Sequence, residues 1–135
     1  MSEKTKILIV DDERDIATAL SIRLKASGYE VIIANDGLSG LDMARKQNPD
    51  LLLLDVMLPK LDGFKLCRIL KFDEKYKHIP VIMITAKVSE NDKKIGGEVG
   101  ADAYITKPFV PEELLSKIRE ILSKMPACPV GREKA

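Results

Sequence analysis

Four places in this sequence set a chemically capable side chain at the end of a short apolar run. Leu51-Leu52-Leu53-Leu54 stops at Asp55, and Ile7-Leu8-Ile9-Val10 stops at Asp11-Asp12. Two later runs end in Thr85 and in Thr106-Lys107. Apolar runs this short read as strands buried on both faces. The carboxyl ends of such strands are where open α/β sheets place their chemistry. Converging ends would bring together three carboxylates, a hydroxyl and an ammonium. Clustered carboxylates repel one another unless a cation sits among them. The donors are hard oxygens, and one His with two distant Cys offers no zinc cluster. The set therefore suits Mg²⁺, with Mn²⁺ as the alternative. Magnesium keeps several waters and pairs with phosphate oxygens. A Thr hydroxyl and a Lys ammonium are what phosphoryl oxygens need for charge neutralisation. A carboxylate can itself be the nucleophile and become an aspartyl phosphate. Asp55, the single acid on its strand, is the candidate, and Asp11-Asp12 would hold the metal.

The elements that must position these residues follow from periodicity. Apolar runs alternate with helical patterns five times, with strands expected at 6–10, 30–34, 51–55, 80–85 and 102–106. In the first helix Ile16, Leu20 and Leu24 form an i, i+4, i+8 line, and Gly28 stands where a glycine would end it. The second is expected over 37–47, with Asp36 as N-cap, Leu38, Leu41 and Ala44 inward, and Pro49 closing it. The third is expected over 62–72 with Leu66, Ile69 and Leu70 on one face. The fourth, 89–98, is weak, because Gly96-Gly97 costs on the order of 1 kcal/mol per glycine. The last opens with Pro111 and Glu112-Glu113, which suits the helix dipole. Its stripe is Leu114, Leu115, Ile118, Ile121 and Leu122. Val110 stands where a capping Ser, Asp or Asn is frequent.

Strand–helix alternation with short loops gives a five-stranded parallel sheet, doubly wound by five helices. The all-apolar third strand should be central. The flavodoxin-like order 2-1-3-4-5 then sets strands one and three side by side at the switch point where ligands bind. A length of 135 residues suits one domain, expected over 5–123, with 124–135 as a tail or the start of a linker. A net charge of +1 supplies no global field for nucleic acid, so direct nucleic-acid binding is not expected. No apolar stretch approaches a membrane span or a signal peptide, and a cytoplasmic protein is expected. Cys67 and Cys128 read as reduced thiols without a role. Lys65, Lys71, Lys75 and Lys77 read as a solvated face, and His78 as a surface loop residue.

The chain resembles a receiver domain of the response regulators of two-component signalling, of the chemotaxis-regulator kind. The matching residues are Val10-Asp11-Asp12-Glu13, Leu54-Asp55-Val56-Met57-Leu58-Pro59, Asp62-Gly63, Ile84-Thr85-Ala86, Gly100-Ala101-Asp102-Ala103-Tyr104 and Lys107-Pro108-Phe109. Each is weak alone; together, in order and spacing, they are specific. The resemblance implies that Asp55 accepts phosphate from a phosphohistidine on a sensor histidine kinase or a histidine phosphotransfer protein. It implies that Asp12, Asp55 and the backbone carbonyl of Met57 coordinate Mg²⁺, with Asp11 acting largely through water. It assigns phosphoryl contacts to Thr85, the amide of Ala86 and Lys107, and a cis peptide to Lys107-Pro108. Tyr104 matches the aromatic switch position. Its ring would turn inward as Thr85 moves, altering the face of the fourth helix, fifth strand and fifth helix toward a downstream protein target. The same face could pair two phosphorylated copies. Met57 and Lys87 border the path of hydrolytic water, and an apolar Met57 predicts a longer phosphoryl lifetime. Such a protein is a phosphoacceptor that assists its own phosphotransfer and autodephosphorylation, not a turnover enzyme.

Other classes fit less well. A phosphatase of the haloacid dehalogenase type also uses a strand-end Asp, Mg²⁺, Thr and Lys. It commonly has a second Asp two residues on, where this chain has Met57, and the sequence offers no cap domain. A flavodoxin-like electron carrier needs a Ser/Thr/Gly-rich first loop, which Asp11-Asp12-Glu13 is not. A binding module of the same fold that is not phosphorylated usually lacks part of the acid–Thr–Lys set. The initial Met and the polar tail favour a stand-alone protein over a receiver cut from a longer regulator or hybrid kinase.

Overall fold

Five parallel strands form one sheet in the order β2-β1-β3-β4-β5. They are β1 (Lys6–Val10), β2 (Glu30–Ala34), β3 (Leu51–Asp55), β4 (Val81–Thr85) and β5 (Ala103–Thr106). The helices are α1 (Arg14–Ala26), α2 (Gly37–Gln47), α3 (Gly63–Lys71) and α4 (Pro111–Ser123), the last of the chain's expected helices. The computed structural model describes residues 5–56, 58, 60–85, 101–106 and 110–123. The helix expected over 89–98 and the tail expected over 124–135 lie outside the described residues.

Period-two alternation divides the sheet's side chains between two cores. Leu8, Val10, Leu52, Leu54 and Met83 pack with Ala44 of α2 and Leu66, Cys67 and Leu70 of α3. Ile7, Ile9, Leu51, Leu53, Ile82 and Ile84 pack with Ala17, Leu20 and Leu24 of α1 and Leu114 and Ile118 of α4. All five residues of β3 are buried, as its central place demands. The order 2-1-3-4-5 is the one expected, and β1 and β3 pair directly from Ile7↔Leu51 to Val10↔Leu54.

Caps set the helix boundaries. Gly28 has φ of 98°, and Gly28 N–H donates to Lys25 O while Tyr29 N–H donates to Leu24 O. That pair of hydrogen bonds is a Schellman motif, and it needs a residue tolerant of the left-handed region. Asp36 caps α2 through Ser39 N–H at 2.8 Å, and Asp62 caps α3 through Lys65 N–H at 2.9 Å. α2 ends at Asn48 in the left-handed region with φ of 49°, one residue before Pro49. Without a side-chain cap from Val110, its carbonyl still accepts from Glu113 N–H and Leu114 N–H.

Three expectations for the helix faces are corrected. Leu38 is 53% exposed; Ala44 faces inward as expected, and Gly37 and Gly40 join it, because α2 lies close to its neighbours. Ile69 is on the rim at 36% exposure, and Cys67 takes the core position. Lys71 is not part of a solvated face. Its ammonium donates to Ile79 O at 2.7 Å and pairs with Asp102 at 3.0 Å, with the side chain only 13% exposed.

Candidate functional site

The carboxyl ends of β1 and β3 are adjacent because these strands pair in register. Asp11 extends the β1–β2 ladder by one bond, its N–H donating to Ala34 O at 3.1 Å. Its carboxylate then accepts from Glu13 N–H at 2.9 Å, a local turn that lifts the chain toward α1. Asn35 Nδ2 donates to the Asp11 carbonyl at 3.2 Å, holding the β2 end against it. Asp55 closes β3 opposite Ile84 of β4, and Val56 N–H donates to Ile84 O. Val56 O in turn accepts from Gly63 N–H at 3.0 Å, joining the strand end to the first residue of α3.

One carboxylate oxygen from each of Asp11, Asp12 and Asp55 lies within 4.8 Å of the others. Asp11 and Asp55 are buried, at 2% and 5% exposure, and Asp12 is exposed. Two buried acids and an open third form a donor set of hard oxygens with one wet side. That chemistry fits Mg²⁺, which takes one or two protein carboxylates and retains waters. Among the described residues no His or Cys joins the cluster, so nothing recommends zinc.

The remaining expected residues fall as follows. Thr85 ends β4, its backbone opposite Thr106, the last residue of β5. Tyr104 sits on β5 opposite Met83, half-buried, and packs against the α2/α3 core. The structure therefore brings Asp11, Asp12 and Asp55 together and sets the backbone of Thr85 two strands from Asp11. Met57, Ala86, Lys107 and Pro108 lie outside the described residues.

The rim next to this cluster is polar. The Asp36 carboxyl is held below the usual carboxylate range, first by the Ser39 backbone N–H and further by the Lys60 ammonium. Lys60 Nζ lies 3.8 Å from Asp36, and Lys60 has φ of 69°, a left-handed conformation in the loop between β3 and α3. Sequence reasoning singles out Asp36 as a cap but misses Lys60, which no local pattern marks.

Comparisons with known proteins agree with this geometry. The family model described as the response regulator receiver domain matches residues 7–119. The chain is 49% identical over 119 residues to the alkaline phosphatase synthesis transcriptional regulatory protein PhoP of Bacillus subtilis, covering 88% of this chain and 49% of that one. It is 45% identical over 124 residues to the DNA-binding dual master transcriptional regulator RpaA of Synechocystis, covering 92% and 52%. The chain thus spans about half the length of these curated relatives. A solved CheY-like response regulator receiver domain from Methanospirillum hungatei superposes with a TM-score of 0.86 at 34% identity, covering 91% of this chain and 97% of that one.

Proposed function

Because this chain belongs to the response regulator receiver domain family of two-component signalling, we propose that it is a phosphorylation-driven switch whose acceptor is Asp55. The observation that carries this reading is the convergence of Asp11, Asp12 and Asp55, ligand oxygens within 4.8 Å, at the carboxyl edge of the sheet. The donor is a phosphohistidine on a sensor histidine kinase or a histidine phosphotransfer protein. A carboxylate oxygen of Asp55 attacks phosphorus; the new P–O bond forms as the P–N bond breaks, and the imidazole leaves with a proton from its surroundings.

Asp11 and Asp12 would hold Mg²⁺ with Asp55 and the Met57 carbonyl. When bound, the ion supplies charge neutralisation for the phosphoryl oxygens. The chain's own residues do the rest. The β1–β3 register and the Glu13 and Asn35 contacts fix the two acid-bearing strand ends in position. Lys107, Thr85 and the Ala86 amide are assigned to the phosphoryl oxygens by their place in the family's motif. Tyr104, half-buried on an edge strand beside the α2/α3 core, is positioned to report the change to a partner.

The chain acts as a phosphoacceptor and is not itself a turnover enzyme. It signals by protein contact, since a net charge of +1 gives no field for nucleic acid. The curated relatives are named as transcriptional regulators, and this chain spans about half of their length. No helix among the described residues is long and apolar enough to cross a membrane. The reading places the protein in the cytoplasm, where kinase and target would meet it.

Intact mass after incubation with acetyl phosphate tests the assignment. A Mg²⁺-dependent gain of about 80 Da, one phosphoryl group, that vanishes in Asp55→Ala is expected. An adduct that persists in Asp55→Ala contradicts the assignment to Asp55, and no adduct in wild type contradicts it and favours a binding module that is not phosphorylated.

A further inference from the structure

The Asp55 carboxylate must sit at a fixed place relative to Asp11 and Asp12, yet Asp55 is the last residue of its strand. The start of α3 packs directly on the Asp55–Val56 peptide. Gly63 N–H donates to Val56 O at 3.0 Å. A Cβ on Gly63 would stand 2.3 Å from the Asp55 carbonyl oxygen, 2.8 Å from Val56 Cα and 3.0 Å from the Asp55 carbonyl carbon. All three are backbone atoms that cannot rotate away. A second contact of this kind lies behind the loop. A Cβ on Gly37 would stand 1.8 Å from the Leu61 carbonyl oxygen, again backbone. Gly37 opens α2, and the same helix end carries Asp36, which faces Lys60 across 3.8 Å. The β3–α3 loop is thus pressed from α3 at Gly63 and from α2 at Gly37, and its first peptide is that of the acceptor aspartate.

We infer that Gly63, backed by Gly37, is a positioning residue for the acceptor. Its missing side chain lets the N-terminus of α3 seat directly on the Asp55–Val56 peptide and set the Asp55 carboxylate in register with Asp11 and Asp12. The inference rests on the acceptor reading of Asp55 above. Gly63 touches neither phosphate nor ion; it acts through Asp55. An alanine there must push the Asp55–Val56 peptide or the helix start outward by several tenths of an ångström or more. The three carboxylates would then no longer share one cation well. Not every glycine behaves this way. Gly28 is held by its positive φ, with nothing within 4 Å of an added Cβ, and lies after the C-terminus of α1, at the opposite edge of the sheet.

The test measures Mg²⁺ affinity by titration calorimetry, acetyl phosphate uptake by intact mass, and thermal midpoint, for wild type, Gly63→Ala, Gly37→Ala and Gly28→Ala. Gly63→Ala is expected to weaken Mg²⁺ binding and slow uptake at least tenfold, and Gly37→Ala to do so less. Gly28→Ala should lose thermal stability while its Mg²⁺ affinity stays within twofold of wild type. Gly63→Ala with wild-type Mg²⁺ affinity overturns the inference. If Gly63→Ala does not fold, Gly37→Ala decides: weakened Mg²⁺ binding supports the inference and wild-type affinity overturns it. Failure of both to fold assigns these glycines to folding alone and also overturns it. A wild-type protein that neither binds Mg²⁺ nor takes up phosphate instead contradicts the acceptor reading itself.

Discussion

The two edges of the sheet use the same residue type for opposite ends. At the amino edge, Asp50 and Asp102 each serve a strand start. Asp50 accepts from Lys6 N–H at 2.8 Å, and Asp102 accepts from Val81 N–H at 2.7 Å while pairing with Lys71 at 3.0 Å. Both carboxylates meet donors across strands, knitting β1 to β3 and β4 to β5. At the carboxyl edge, Asp11, Asp12 and Asp55 converge on one another. A carboxylate that accepts from a backbone amide stabilises the fold. Carboxylates gathered within reach of one cation raise its electrostatic cost and hold it ready for a ligand. The parallel topology sets the strand-start contacts at one edge and the acid cluster at the other, because every strand starts at one edge and ends at the other. Asp11 takes part in both kinds of contact, its carboxylate also accepting from Glu13 N–H.

The contrast can be broken most strongly at Lys71. Lys71→Met removes the ammonium that joins Asp102 and Ile79 O. A loss of about 2–3 kcal/mol in urea unfolding is expected, since the Asp102 carboxylate loses its ammonium partner and the Ile79 carbonyl its donor. Phosphoryl uptake on Asp55 should be unchanged. A variant that kept full stability would show that the amino-edge network is ornamental.

A smaller effect is expected at Gly28. Its φ of 98° forces alanine into the left-handed region, costing about 1–2 kcal/mol. Chemical denaturation should register that loss while the phosphorylation rate holds. Equal stability of Gly28→Ala and wild type would undercut the Schellman closure of α1.

The smallest effect concerns Cys67, which lies in the core near the amino-edge pair. Burial pushes its thiol up to about 11, with Lys71 opposing and Asp102 adding to the shift. The folded state therefore favours the protonated thiol. That contribution is fully present below the ordinary thiol pKa near 9 and is lost as the pH climbs from there to about 11. The urea midpoint should fall between about pH 8 and pH 10 more in wild type than in Cys67→Ala. Peptide mapping should find Cys67 unalkylated by iodoacetamide at about pH 8.5 until urea is added. Ready alkylation of the native protein would show that the site opens.

Strands are the most legible part of the sequence. Their apolar runs are short and bounded, and β1, β2 and β3 occupy the expected residues 6–10, 30–34 and 51–55. The three acids at strand ends are legible for the same reason, since each interrupts an apolar run. Helix faces are less so. Leu38 looks inward by hydrophobicity, yet α2 packs through Gly37, Gly40 and Ala44, and only small residues permit that approach. Lys71 looks solvated because its partners, Ile79 O and Asp102, are 8 and 31 positions away in sequence. Asp50 and Asp102 give no chemical signal, because what separates them from Asp55 is the edge of the sheet and not the residue type. The close contacts at Gly63 and Gly37 arise between backbones of different elements and have no one-dimensional trace.

The division of labour between the edges is tested most directly by a crossed pair, Asp12→Ala and Asp50→Ala. Each is scored for Mg²⁺-dependent phosphoryl uptake by intact mass and for unfolding free energy in urea. Asp12→Ala should lose uptake and unfold at the wild-type midpoint or above, because a repelling charge has gone. Asp50→Ala should lose about 1–3 kcal/mol through the orphaned Lys6 amide and retain uptake. An Asp50→Ala protein that is stable but inert, or an Asp12→Ala protein that is destabilised yet fully phosphorylated, would contradict the account.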